Sequence, residues 1–182
     1  MLDSASSITS TSHTAPSVES GAHEPDPEPD SRVEILDSDR LLSDAQRRWL
    51  ETTAAQALTA TGAAGEVRAR IVADEAMAAA HLKYSNIPGT TDVLTFDLRD
   101  DDSDALDVDL WVCVDEARRQ AADRGHTVER ELLLYILHGI LHCLGYDDHS
   151  EEDHRAMHAE EDRILTAIGV GITYGSTAEG AE

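Results

Sequence analysis

Between Leu132 and Leu144 the chain is apolar nearly all the way round a helical wheel, interrupted by His138 and His142. A helix without a polar face must be covered on every side, so this segment predicts a fold built around one buried helix. An unpaired polar group there costs about a few kcal/mol. A metal ion, or a cleft open to water, removes that cost. The two imidazoles are four residues apart, which separates them by about 40° around the axis and about 6 Å along it. Both rings can therefore reach one ion at the roughly 2.0–2.1 Å of a Zn–N bond.

Gly145 is suited to end this helix in a left-handed turn, so that the chain folds back and brings His149 to the same ion. Three protein nitrogens leave a fourth tetrahedral position for water, the arrangement of a catalytic zinc rather than a closed structural one. Two bland readings compete: histidines that are chance neighbours, and a structural zinc. The first has to explain His149, the glycine stop and two aspartates together. The second lacks ligands, because Cys113 is far from Cys143 and no C-x-x-C pair exists. A peptidase of the H-E-x-x-H type needs a glutamate where this chain has Gly139, which ranks that reading last.

The rest of the chain alternates between strand and helix signals. Val33–Leu36 reads as a short strand, and Ser43 with Gln46 forms a capping-box start for a helix to about Ala60. That helix places Ala45, Trp49, Thr53 and Ala57 along one stripe. Val67–Val72 alternates as a half-buried strand. Asp74 is read as the cap of a helix to about Tyr84, and Asp92–Phe96 as a strand. Val108, Leu110, Val112 and Val114 alternate with Asp109, Trp111 and Cys113, the clearest strand of all. Helices follow over about 115–124 and 127–144, and a last one from Ser150 to near Gly169. His154 and His158 on that helix sit among Glu151, Glu152, Asp153, Glu160, Glu161 and Asp162, a pattern read as a solvated acidic face.

Residues 1–31 hold six acidic residues, no Lys or Arg, and many Ser, Thr and Pro. Such a segment buries too little apolar surface to fold, and it has neither the basic nor the apolar region of a signal peptide. The expected organisation is a disordered tail over 1–31, one α/β domain over 32–170, and a flexible end over 171–182. No run reaches membrane-spanning length, so the expectation is a cytoplasmic protein with reduced cysteines. Net charge is −23 for the whole chain. Without the tail's six acids the remaining 31 acidic and 14 basic residues leave −17. That balance disfavours a simple RNA-coating module, whereas an enzyme needs only a local groove and a metal.

The run His138-Gly-Ile-Leu-His142-Cys-Leu-Gly-Tyr-Asp-Asp-His149 resembles the signature of the YbeY family, bacterial metal-dependent endoribonucleases of ribosomal RNA maturation. Thr91-Asp-Val-Leu-Thr-Phe96 is similar to the family's T-D-V-L-S-F strand. Asp109 falls where the family has G-D-I, and Glu152 to Leu165 resembles its closing helix. The resemblance spans most of residues 33–170. It implies an α/β fold with a small four-stranded sheet and about five helices, and one zinc per chain on His138, His142 and His149, which act through a water on the metal. It also implies cleavage of single-stranded RNA, in small-subunit rRNA 3′-end processing and ribosome quality control, with ribosomal RNA precursor and ribosome as partners and no DNA or membrane.

The chain departs from the pattern twice. Six residues rather than five separate His142 from His149, so Asp148 is the substitute third ligand. Ser85 follows Tyr84 where the family usually has arginine, which leaves Lys83 as the nearest cation and makes Lys83 and Ser85 the candidate substrate contacts. The expected function is a zinc-dependent endoribonuclease. The alternative is a ribosome-assembly binding module with a mainly structural metal.

Overall fold

The computed structural model describes residues 31–100 and 102–173. Of the segments assigned to tails, 1–31 and 171–182, residues 1–30 and 174–182 lie outside the described residues. The elements are β1 (Arg32–Leu36), α1 (Asp44–Thr61), β2 (Gly65–Val72), α2 (Asp74–Ser85), β3 (Val93–Asp97), β4 (Leu106–Cys113), α3 (Val114–Arg124), α4 (Val128–Cys143) and α5 (Glu151–Ala167). The strands form one mixed sheet in the order β1-β2-β4-β3. β1, β2 and β4 run parallel, and β3 pairs antiparallel with β4. The expected α/β fold with a four-stranded sheet and five helices is the fold found.

Strand alternation decides which face of the sheet carries the core. Val67, Ala69 and Ile71 of β2 stand beside Val108, Leu110 and Val112 of β4, all buried. Over this face lies α4, whose Leu132, Leu133, Ile136, Leu137, Ile140 and Leu141 are fully buried. It comes so close that a Cβ on Gly139 would meet Leu110 Cδ2 at 2.7 Å and Thr95 Oγ1 at 2.9 Å. Gly139 therefore has a packing reason of its own, and its contact seats the His138 turn of α4 on β3 and β4.

Local signals explain most boundaries. The Ser43 side chain accepts from the Gln46 amide, and the Gln46 side chain accepts from the Ser43 amide, as the capping box requires. The Ser150 side chain likewise accepts from the Asp153 amide at 3.1 Å. Two expectations are corrected. The buried stripe of α1 is Leu50, Thr53, Ala54, Ala57 and Leu58, while Ala45 and Trp49 are exposed. The cap position of α2 is Ala73, without a side-chain bond. Asp74 instead takes Arg119 at 2.7 Å and ties α2 to α3.

Candidate metal centre

The end of α4 sets the geometry of the site. The helix stops at Cys143, Gly145 adopts the expected left-handed conformation at φ 91°, and the Tyr146 amide donates back to the Leu141 carbonyl at 3.0 Å. This turn carries the Tyr146 carbonyl to 3.1 Å from His142 Nδ1. One turn earlier on α4, His138 Nδ1 lies 2.9 Å from Glu161 Oε1 of α5.

These two contacts fix the tautomers. A carbonyl only accepts, so His142 Nδ1 carries the hydrogen, and the Glu161 carboxylate accepts from His138 Nδ1 in the same way. In the neutral rings both Nε2 atoms then turn lone pairs toward each other across 3.0 Å. Two facing acceptors hold such a distance only with a cation between them, a proton or a metal ion. Asp148 Oδ2 is 3.8 Å from His138 Nε2, and ligand atoms of His138, His142 and Asp148 all fall within 4.8 Å of one another. Donors about 2.0–2.1 Å from one tetrahedral ion are about 3.3 Å apart, so the observed spacings bracket the requirement. The donor set fits a divalent ion such as zinc.

His149 is placed elsewhere. Its ring is 84% exposed, with Nδ1 on the Asp147 carboxylate, which raises its pKa. The structure thus gathers His138, His142 and the substitute donor Asp148, and leaves His149 outside that cluster. Cys143 is not among the gathered donor atoms, and burial pushes its thiol up to about 11. Burial pulls the His138 pKa down, but the hydrogen bond and charge of Glu161, with Asp92 and Asp148, outweigh it and hold the ring above its ordinary value.

A cavity of about 550 Å³ opens beside the cluster, bounded by Thr90–Asp92, α3, α4 and α5. It reaches His138 and Asp148 and includes Tyr135, whose hydroxyl is buried without a hydrogen-bond partner among the described residues. His154 and His158 also line it, their ring centroids 3.9 Å apart, so they are not part of a purely solvated face. Glu161 corrects the same reading more sharply, being wholly buried. In sequence it is one acid among many, and only the helix packing singles it out. Lys83 and Ser85, at the end of α2, do not line the cavity.

A mixed-sheet α/β fold with an imidazole–carboxylate cluster at the end of its buried helix defines the class of this protein. The family model described as Endoribonuclease YbeY matches residues 30–169, and the chain belongs to that family. The Endoribonuclease YbeY of Carboxydothermus hydrogenoformans is 36% identical over 113 residues, spanning 62% of this chain and 79% of its own. That of Shouchella clausii is 33% identical over 154 residues, spanning 76% and 96%. As endoribonucleases, these relatives are hydrolases. The solution structure of TM1509 from Thermotoga maritima matches 80% of this chain and 99% of its own with a TM-score of 0.51 at 20% identity, a likeness of fold.

Proposed function

We propose that this chain is a zinc-dependent endoribonuclease that cleaves single-stranded RNA during ribosomal RNA maturation, including small-subunit rRNA 3′-end processing and ribosome quality control. It works in the cytoplasm, with residues 32–170 as the catalytic domain and the acidic segment 1–31 as an appended tail. The observation that carries the reading is the 3.0 Å approach of two Nε2 atoms whose Nδ1 partners leave both, in the neutral rings, without a hydrogen. His138, His142 and Asp148 would hold the ion, with His149 the alternative third donor. When bound, such an ion supplies Lewis-acid stabilisation of phosphoryl charge and an acidified water.

The chain's own groups do the rest. Glu161 and the Tyr146 carbonyl fix the rings so that both Nε2 atoms face each other, where they would hold the ion. The Tyr135 hydroxyl, on the cavity wall, has a hydrogen bond to offer an RNA oxygen. His158, whose pKa burial lowers, stands on the same wall as a neutral imidazole. One observation favours the assembly-module alternative: the cation lining the cavity, Arg124, is bonded to buried Glu131 at 3.0 Å.

Chelator-stripped and zinc-reloaded full chain, each incubated with an unstructured oligoribonucleotide and its DNA counterpart, separates the readings. Cleavage of RNA alone, and only after reloading, is expected. A reloaded chain that leaves the RNA intact supports the binding module.

A further inference from the structure

The second face of the sheet, away from α4, carries a cluster that the metal site does not use. Register places Arg70, Trp111 and Leu94 in one cross-strand row of β2, β4 and β3, and Arg68, Asp109 and Phe96 in the next. Partners in a row point to the same side. Trp111 and Leu94 rest on buried Val72, Met77 and Cys113 and remain partly open. Tyr84, at the end of α2 and 50% exposed, meets Phe96 edge-on at 5.0 Å and Trp111 at 6.5 Å between ring centroids. Three aromatic rings thus share one open surface.

Three basic side chains border these rings. Arg68 is occupied by Glu66, Asp107 and Asp109. Arg70 and Lys83 instead lie over rings, Arg70 at 5.7 Å from the Trp111 centroid and Lys83 at 4.6 Å from that of Tyr84. Neither has an ion-pair partner among the described residues, in a chain with 37 acids to 14 bases. Lys83 also donates to the Tyr84 hydroxyl at 3.0 Å, and two cations without a carboxylate partner beside open aromatic rings complement a ligand with flat bases and a phosphate backbone. Every base has a stackable face, so such a platform binds single strands with little regard to sequence. The residues that border the metal cavity, Thr90–Asp92, lead directly into β3, whose Leu94 and Phe96 belong to the platform.

We propose that Tyr84, Phe96 and Trp111, with Arg70 and Lys83, form a base-stacking site that holds single-stranded RNA outside the metal cavity. None of the five residues lines the metal cavity, and the site rests on the reading of the chain as an RNA enzyme.

Binding is tested on chelator-stripped full chain, so that it is read without cleavage. A Trp49→Phe background leaves Trp111 as the sole indole reporter. Short oligoadenylate is expected to quench Trp111 emission, while an abasic strand of equal length does not. Tyr84→Leu and the pair Arg70→Gln with Lys83→Gln should each weaken oligoadenylate binding by about tenfold. Should Tyr84→Leu fail to fold, the exposed charge pair still decides. Equal binding of abasic strand and oligoadenylate, wild-type affinity in the folded variants, or no binding at all overturns the platform. These outcomes are independent of cleavage: a metal-loaded chain that binds through the platform but leaves RNA intact refutes only the nuclease reading.

Discussion

Glu161 accepts a hydrogen bond from His138 Nδ1 at 2.9 Å while wholly shut off from solvent, joining α5 to the metal-facing turn of α4. Its other carboxylate oxygen has no hydrogen-bond partner among the described residues. A carboxylate behind a ligand imidazole fixes the ring and raises its basicity, and its loss costs about 10–100-fold in metal affinity. Glu161→Leu is therefore expected to weaken zinc binding by about that factor in competition with a chromophoric chelator. Glu161→Gln, which keeps an acceptor for Nδ1–H, should fall in between. Wild-type affinity in Glu161→Leu would reduce the contact to packing.

Asp148 and His149 are the two candidates for the third donor. The family resemblance points to His149, but its ring turns to Asp147 while Asp148 faces the histidine pair. Asp148→Ala is expected to lose more zinc affinity than His149→Ala in a chelator titration. The opposite order would show that the loop rearranges to deliver His149.

Gly139 tests the seating of α4. A methyl group there meets Leu110 and Thr95 at under 3 Å, and overpacking of this kind costs about 1–3 kcal/mol. Gly139→Ala should lower the denaturant midpoint accordingly, without changing the unfolding slope. A neutral effect would mean that α4 rides further from the sheet.

The His138–Glu161 contact also gives a pH signature. In the metal-free chain the His138 pKa is raised, so the folded state holds its proton more tightly than the unfolded state. The resulting stability is fully present below the unfolded pKa and is lost as pH rises through the folded one. Metal binding needs the deprotonated ring and follows the opposite course. As pH rises from the ordinary imidazole range through the raised His138 pKa, the metal-free chain should lose thermal stability relative to Glu161→Gln. The gain on adding zinc should grow over the same interval. A zinc-induced gain that does not change with pH would contradict the assignment of His138 as donor.

The sequence foretold these features unevenly, for physical reasons. The all-round apolar run 132–144 and the period-two pattern of 106–113 leave little choice of structure, so α4, β4 and the His138–His142 pair were readable. Both side-chain caps, Ser43 and Ser150, were readable because their partners are local. The face of α1 was misread because its alanines fit either side, and the exposed Trp49 looked like core. Asp74 matched a cap but was drawn to Arg119, a residue distant in sequence. Glu161 gave no signal at all within the acidic run 151–162. The aromatic platform was hidden for the same reason: Tyr84, Phe96 and Trp111 meet only once α2, β3 and β4 are assembled.

The most direct test of the metal-centred account is a titration of zinc into chelator-stripped full chain, with cleavage of an unstructured oligoribonucleotide read at each step. The account predicts no cleavage without metal, a rise that levels off at one equivalent per chain, and no rise in His138→Ala. Undiminished cleavage by the stripped chain, or an equal rise in His138→Ala, would contradict it.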